Sequence, residues 1–527
     1  MLYKPIHFFC SSRYKKKTNF EQLASRASSG TTKSTLRALT FQDTSQIESS
    51  KIADEVLVIG RKCILKGLTK APKFSPLEDL IKGPLDQMLN SISDYGKVST
   101  YLSTKYSIIA LPDEVSRHNH KMSLHKLTEM IAGSKGNVQI FVIDDEIEKQ
   151  MGGVSCSIAR AFPLYSKKSS MKEDGDKNDV NTLFLNQNFE LVQKPELWKA
   201  AHAAAEGVQL AAKLTDMPPN ELTTDAYAAE CRRIAKELGD CVTIEEITGE
   251  ELKDLGYGGV YGVGKCAVCP PRVVIMNYTP PNESKEYVAL VGKGIVYDTG
   301  GLALKTKTGM PGMKHDMAGS SGLLGGFVAA IKLQLPRRIT LILAIAENAI
   351  GPNALRNDDV ITLYSGKTVE INNTDAEGRL VLGDCVAHAS KHLENLDLIV
   401  DMATLTGAQS ITTGKKHGAI LTKTQKLEDR IYRAGKTSGD LVFPLLYAPE
   451  LLKPEFSSKV ADMKNSVSNR SNAQSACAGH FIESHINDSF DGEWVHVDMA
   501  GPGSEKDRGT GYGVGLVLGV LEAEGFV

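Results

Sequence analysis

The stretch NNTDAEGRL, Asn372 to Leu380, places two carboxylates and one guanidinium within five residues. Apolar residues flank it, TVEI before and LVLGDCVAHA after. In an extended segment, residues two apart point the same way, so Asp375, Glu377 and Arg379 are predicted to share one face. Carboxylate oxygens gathered on one face are ligands of the kind that divalent cations take in proteins.

A second group of charges lies earlier, in VGKGIVYDTGGLALKTKTGMPGMKHDMAG. It offers Lys293, Asp298, Lys305 and Asp316, set among glycines that let the backbone approach a ligand closely. This segment follows the strand-like run YVAL, and the 372–380 segment follows the strand-like run TVEI. Both groups of charges are therefore predicted to converge on one edge of one sheet.

Four carboxylates that meet at a sheet edge repel each other unless cations neutralise them, and burial without partners is costly. One interpretation is a surface ion-pair network, balanced by the two lysines and by the arginine. The other is a site for two divalent metals, with Asp298, Asp316, Asp375 and Glu377 as oxygen ligands.

The elements that must position these residues form a repeating pattern beyond Cys241. Near-continuous apolar runs such as RVVIMNY, YVALVG, ITLILAIAE and LDLIVDMATL are typical of strands buried on both faces. Helices are predicted between them at 318–333, 379–393 and 426–436. Alternating elements predict an α/β fold with a mostly parallel sheet flanked by helices, and ligands bind beyond the carboxyl ends of such strands.

The 527 residues exceed one ordinary domain. A smaller α/β domain is predicted at 51–194, interrupted by a charged loop insert at 166–182. An Ala-rich helix at 195–216 is expected to link it to a catalytic domain at 217–527. In the latter, Thr224 or Asp225 is predicted to cap a helix at 226–238.

Residues 1–50 are predicted to be a basic, disordered extension. The basic, Ser-rich and acid-poor composition of residues 1–42 is also typical of a mitochondrial presequence. The protein is expected in the cytoplasm, and this N-terminal composition makes mitochondria the alternative.

The composition is that of a soluble globular protein, with 42% hydrophobic and 24% charged residues. A net charge of −2 gives no support to binding of nucleic acid or of an anionic membrane. Nine scattered cysteines favour reduced thiols over a disulfide framework. No apolar run is long enough for a transmembrane helix.

The segment GVYGVGKC nearly matches a phosphate-binding loop, but Cys266 stands where Ser or Thr is needed, so a glycine-rich turn is predicted.

The segment NTDAEGRL, followed by DMATLTGA at 401–408 and preceded by VGKG…YDTGG…K…MKHDMAG, resembles the leucine aminopeptidase family of dimetal exopeptidases. The resemblance extends from about Lys199 to Val527 and is closest to the animal "probable aminopeptidase-like" branch. It implies five metal ligands: Lys293, Asp298, Asp316, Asp375 and Glu377. Of these, the resemblance implies that Asp298 and Glu377 bridge both ions. It also implies that Lys305 polarises the scissile carbonyl and that Arg379 holds a bicarbonate. The resemblance places four residues near the substrate pocket: Met313, Thr404, Leu405 and Gly407.

The function that the resemblance implies is removal of the N-terminal residue, leucine or similar, from peptides with a free N-terminus by a two-metal-activated water. Zn²⁺, Mn²⁺ and Mg²⁺ all suit oxygen-rich ligands, and the family implies a homohexamer. A non-catalytic scaffold is the first alternative, and nucleic-acid binding, as in some bacterial relatives, is the second. The intact charged positions favour the enzyme.

Two departures from the family pattern bear on this prediction. KHLENLDL carries an insertion of about two residues, and residues 465–481 replace a glycine-richer segment near the pocket. The preferred first residue therefore stays open.

Overall fold

The structure is a computed structural model that describes residues 39–41, 53–70, 77–102, 104–169, 179–282, 286–469 and 471–527. Apart from residues 39–41, the predicted extension at 1–50 lies outside the described residues. The predicted insert at 166–182 is described only at its two ends, 166–169 and 179–182.

The strands of the described residues are β1 Leu39–Phe41, β2 Glu55–Arg61, β3 Gly96–Tyr101, β4 Lys105–Leu111, β5 Val138–Ile143, β6 Val180–Leu185, β7 Val242–Thr248, β8 Arg272–Tyr278, β9 Tyr287–Asp298, β10 Arg338–Asn348, β11 Val360–Thr362, β12 Thr368–Glu370, β13 Leu398–Ala403, β14 Gly418–Thr422, β15 Val442–Pro444, β16 Met463–Lys464, β17 Glu493–Asp498, β18 Ser504–Glu505 and β19 Arg508–Gly509.

The α-helices are α1 Lys62–Leu65, α2 Glu78–Lys82, α3 Leu85–Ser91, α4 Leu124–Ile131, α5 Ile147–Ala161, α6 Pro195–Asp216, α7 Thr224–Leu238, α8 Glu250–Asp254, α9 Gly258–Gly264, α10 Ala318–Lys332, α11 Gly378–His392, α12 Gly407–Thr412, α13 Gln425–Ser438, α14 Pro449–Leu452, α15 Gln474–Glu483 and α16 Val514–Val520. Short 3₁₀ turns add Lys66–Lys70, Met313–His315 and Lys453–Phe456. None of the described helices is long and apolar enough to cross a membrane.

The smaller sheet has six strands in the order β1-β6-β5-β2-β4-β3. All neighbouring pairs are parallel except β3 with β4. Both β2 and β5 are almost wholly buried, as expected of strands covered on both faces.

The larger sheet has eight strands in the order β15-β14-β17-β13-β9-β10-β8-β7. Its centre is parallel, from β17 through β13 and β9 to β10, and β14 pairs in parallel with β15 at one edge. Antiparallel pairs join β14 to β17, β10 to β8 and β8 to β7. The predicted mixed α/β fold with a mostly parallel sheet is confirmed, and the central strands match the predicted apolar runs.

The long helix α6 packs against α5 on one side and α10 on the other. Its contact with α10 is close because glycines face each other: a Cβ on Gly207 would lie 2.6 Å from the carbonyl oxygen of Gly325. One apolar core runs from the smaller sheet past α6 to one face of the larger sheet, and a second core covers the opposite face. The two sheets are therefore joined by continuous packing.

Two local predictions were wrong. Helix α7 begins two residues earlier than expected, at Thr224, since the Thr223 side chain caps it by accepting from the Ala226 amide at 3.2 Å. The Thr224 hydroxyl instead donates to the carbonyl of Pro270. The GVYGVGKC segment lies largely in a helix, α9, rather than in a turn. Its glycines let α9 approach neighbouring backbone, because a Cβ on Gly259 would lie 2.4 Å from the Leu380 carbonyl oxygen.

Candidate metal centre and active site

The predicted site residues of the charge group at 293–316 lie at the carboxyl edge of the larger sheet. Lys293 lies within β9 and Asp298 ends it. Thr404 and Leu405 follow the neighbouring strand β13 directly. This is the edge where an open α/β sheet binds its ligands, as predicted.

The charge group at 372–380 reaches this edge by a different route from the predicted one. TVEI forms β12, which belongs to a separate three-stranded sheet with β11 and β16. A turn follows it, Glu377 already has helical backbone angles (φ −79°, ψ −35°), and Arg379 lies in α11. The prediction of a shared strand face was therefore wrong, because the segment turns into a helix. The side chains of Asp375, Glu377 and Arg379 nevertheless line one cavity.

Three carboxylates form the centre of the site. Oxygens of Asp298, Asp375 and Glu377 lie within 4.8 Å of one another. The ammonium group of Lys305 lies 2.8 Å from Asp298 and 2.5 Å from Asp375. Lys305 therefore contacts one carboxylate from its own segment and one from the 372–380 segment.

Asp316 joins this group through Lys293. The Lys293 ammonium group lies 2.7 Å from Asp316 and 2.9 Å from Glu377, and it donates to the Thr404 carbonyl at 2.9 Å. The Thr404 hydroxyl donates to Asp316 at 2.9 Å. All four carboxylates thus contact one of two lysines.

Burial and mutual repulsion set the ionisation of these groups. Burial raises the pKa of Asp316, Glu377 and Asp375, and neighbouring carboxylates raise all three further. Burial alone would lower the pKa of Lys293, but attraction to Asp316 and Glu377 outweighs it, so this pKa is raised. The pKa of Lys305 is likewise raised, because Asp298 and Asp375 outweigh the opposing effect of burial.

The donor set fits hard divalent cations. Oδ2 of Asp316 and Oε2 of Glu377 are buried, and neither has a hydrogen-bond partner among the described residues. A buried carboxylate oxygen without a partner is costly, and a cation is the partner that satisfies it. Oxygen ligands of this kind suit Mg²⁺, Mn²⁺ and Zn²⁺.

Arg379 offers an anion site beside the carboxylates. One guanidinium nitrogen donates to the Asn465 carbonyl at 3.0 Å, while its buried Nε has no partner in the described part of the chain. Burial lowers the pKa of Arg379 to about 10, so the group is still charged at neutral pH. A small anion can satisfy the free donor.

The cavity at this edge encloses about 590 Å³, a volume that suits a small-molecule ligand. All eleven residues named from the sequence line it, including the four assigned to the substrate pocket: Met313, Thr404, Leu405 and Gly407. No described atom lies within 4 Å of a Cβ built at Gly407, so the cavity is open there.

Two asparagines that position the site were missed from the sequence. The Asn465 side chain accepts from the amides of Asn372 and Asn373 and donates to the carbonyls of Asn373 and Ala376. Asn348, the last residue of β10, donates to Asp298 at 2.9 Å and to the Thr374 carbonyl at 3.1 Å. Both hold the turn that carries Asp375. Their positions at or just after the end of a strand were the only available signal.

The two departures from the family pattern lie in different places. The insertion in KHLENLDL precedes β13 and is therefore at the end of that strand opposite the site. The 465–481 segment contributes Ser466 and Gln474 to the cavity wall. Only this second departure touches the site.

Comparison with known proteins places these features in a wider context. The sequence model for the catalytic domain of the cytosol aminopeptidase family matches residues 209–518. A mouse (Mus musculus) protein named probable aminopeptidase NPEPL1 is 48% identical over 79% of each chain. Leucine aminopeptidase 1 of Caenorhabditis elegans is 40% identical over 88% of this chain and 94% of its own. The structure of leucyl aminopeptidase from Trypanosoma brucei in complex with bestatin superposes with a TM-score of 0.85 at 33% identity, covering 96% and 99% of the two chains.

Proposed function

Because this chain belongs to the cytosol aminopeptidase family, a family of metal-dependent hydrolases, we propose that the cavity at the carboxyl edge of its larger sheet is a two-metal active site. The chain is a metal-dependent aminopeptidase that acts on peptides. The observation that carries the proposal is the pair of buried carboxylate oxygens without partners, beside three carboxylates within 4.8 Å of one another.

The residues that would hold the two ions are Lys293, Asp298, Asp316, Asp375 and Glu377. When bound, the ions supply an acidified water and polarise the scissile carbonyl. Lysine binds a metal only as a neutral amine, and two dications beside Lys293 would lower its pKa, against the effect of its acidic neighbours.

Lys305 is proposed to stabilise the oxyanion. Its ammonium group is held by Asp298 and Asp375, lines the cavity and keeps its charge because its pKa is raised. A fixed cation aimed at developing negative charge lowers the barrier to acyl transfer. Arg379 is proposed to hold a bicarbonate that supplies a proton acceptor for the reaction.

The proposed substrates are peptides with a free α-amino group and leucine or a similar first residue. The apolar side chains of Met313 and Leu405 and the open space at Gly407 support a pocket for such a side chain. The names of the similar nematode and trypanosome enzymes also support leucine.

We further propose a homohexamer located in the cytoplasm, with mitochondria as the alternative. Leu302 and Leu304, 50% and 56% exposed, lie in the loop from Asp298 to Lys305 and support burial against another copy. Size-exclusion chromatography with light scattering tests the assembly, and imaging of the full-length chain tests the location.

The metal proposal is tested by counting bound Zn²⁺ or Mn²⁺ per chain with inductively coupled plasma mass spectrometry. The wild type is expected to hold two ions, and Glu377→Ala fewer. A folded wild-type chain that takes up neither metal would contradict the assignment. Zn²⁺, Mn²⁺ and Mg²⁺ are then ranked by the activity that each restores.

A further inference from the structure

The hairpin of β18 and β19 has an unusual tip. Its two loop residues, Lys506 and Asp507, both have positive φ, 49° and 61°. Two-residue loops of this form favour Asn-Gly, because most side chains are strained there. Asp tolerates a positive φ better than most residues, whereas Lys is strained there, and strained backbone is often found at functional sites.

The base of the hairpin is held rigidly. Asp216 accepts from the Gly509 amide at 2.7 Å and from Nε of Arg508 at 2.8 Å. On the other strand, Glu505 pairs with Lys416 at 2.5 Å. The tip is therefore presented in a fixed position.

The two tip residues line different cavities. Asp507 lines the active-site cavity, whereas Lys506 lines a neighbouring cavity of about 630 Å³ between the hairpin and α4. The Asp507 carboxylate makes no ion pair or hydrogen bond with any residue that the structure describes. It is free to bind a cation in the active-site cavity.

The surroundings of Asp507 place it near the pocket for the first side chain. Gly503, just before the hairpin, packs against the substrate-pocket residue Thr404, since a Cβ built there would lie 3.1 Å from Cγ2 of Thr404. Facing it is the turn Met313–His315. Met313 and His315 line the same cavity as Asp507. Asp507 therefore lies beside the Met313 and Thr404 wall.

We propose that Asp507 is a specificity-determining residue that binds the cationic end of an arginine or lysine at the first position of the peptide. This inference rests on the proposed function of the cavity. The aliphatic stem of such a side chain packs against Met313 and Leu405, while its charged head reaches the carboxylate. Ser504, at the base of the hairpin, lines the same cavity and adds a hydroxyl acceptor. Leucine fits the same apolar wall without using the carboxylate.

The test compares arginyl and citrullyl 7-amido-4-methylcoumarin, which share a shape but differ in charge, with the leucyl substrate as reference. The metal-loaded wild type is measured beside Asp507→Asn, Asp507→Glu and Lys506→Gln. The last variant is the matched control, because it changes the charge of the same turn by one unit but faces the other cavity.

The wild type is expected to prefer arginyl over citrullyl substrate in kcat/KM. Asp507→Asn should lower that preference about threefold to tenfold, mainly through KM, as for a partly exposed ion pair. Asp507→Glu should retain most of the preference, and Lys506→Gln and leucyl turnover should be unaffected. An equal preference in wild type and Asp507→Asn, with leucyl turnover retained, would overturn the inference alone. Failure of the wild type to cleave any of the three substrates would instead overturn the proposed function on which it rests.

Discussion

At the residue scale, Lys305 is the more exposed of the two lysines in the site, because Lys293 is buried between its carboxylates. Replacing Lys305 with methionine removes the charge but keeps much of the stem. We expect kcat for leucyl-amide to fall by roughly 10²–10³-fold, as on loss of an oxyanion-stabilising donor, with two metals still bound. Lys305→Arg should recover part of the rate. A kcat of Lys305→Met within about threefold of wild type would rule out this role.

Asn465 gives a second prediction at the residue scale. Asn465→Ala removes four side-chain hydrogen bonds to backbone groups of the 372–376 turn. Each buried backbone group left without a partner costs about 1–3 kcal/mol. We expect a lower Tm and weaker metal binding, because the turn carries Asp375.

The matched control is Asn472→Ala, in the same segment, whose side chain bonds only to Glu455 among the described residues. Thermal unfolding and metal titration of both variants separate the outcomes. Equal behaviour of the two variants would show that Asn465 does not position the site.

The residues that the sequence revealed and those it hid differ in a physical way. The seven charged residues were found because a dense group of charges in an apolar context has few structural explanations, whereas the four pocket residues were named only through the family resemblance. Asn465 is also buried and polar, but it acts on residues about 90 positions earlier in the chain. A neutral amide with so distant a partner leaves no local pattern in a sequence.

At the scale of elements, helix α11 begins with a glycine, Gly378, that packs directly against Lys293. A Cβ added to Gly378 would lie 2.6 Å from Cε of Lys293, which is buried and cannot move aside. We expect Gly378→Ala to displace Lys293 and to lower metal affinity at least about tenfold, roughly 1.4 kcal/mol.

Gly383→Ala, five residues along the same helix, provides the control. Its added Cβ would meet nothing nearer than 3.1 Å, at His485 and Leu363. Isothermal titration with Mn²⁺ compares the two variants. Unchanged affinity in Gly378→Ala would mean that Lys293 does not need its present position to bind metal.

The elements also show where sequence reasoning succeeded and failed. Long apolar runs predicted β8, β9 and β10 correctly, because strands buried on both faces appear in the sequence as continuous apolar runs. The sheet to which β12 belongs was predicted wrongly, because a strand pattern of three residues does not determine its partner strands. The site still assembled as expected, because the turn after β12 brings its charges to the edge of the larger sheet.

For the whole molecule, we propose two domains, 51–194 and 217–527, coupled through α6 and a shared core. Arg160 in α5 pairs with Asp440 across this contact, with 9% and 0% of their side chains exposed. Asp440 also accepts from the amides of Gly513 and Leu516 at the start of α16. This pair therefore links the smaller sheet to the C-terminal helix.

Arg160→Met is expected to destabilise the protein by about 3–5 kcal/mol, because it leaves a buried carboxylate without its cation. Lys126→Met breaks an exposed pair with Glu129 and should lower the stability much less. Thermal unfolding of both variants checks the difference. A Tm for Arg160→Met equal to that of Lys126→Met would argue against coupling through this pair.

We propose that the protein, with two metals bound in this cavity, hydrolyses the bond after a free N-terminal residue. The most direct measurement is hydrolysis of leucyl-amide and N-acetyl-leucyl-amide with added Mn²⁺ or Zn²⁺, by wild type and by Glu377→Ala. We expect cleavage of the free-amine substrate only, abolished by a chelator and by the substitution. Equal cleavage of the acetylated substrate, or full activity in Glu377→Ala, would contradict the claim.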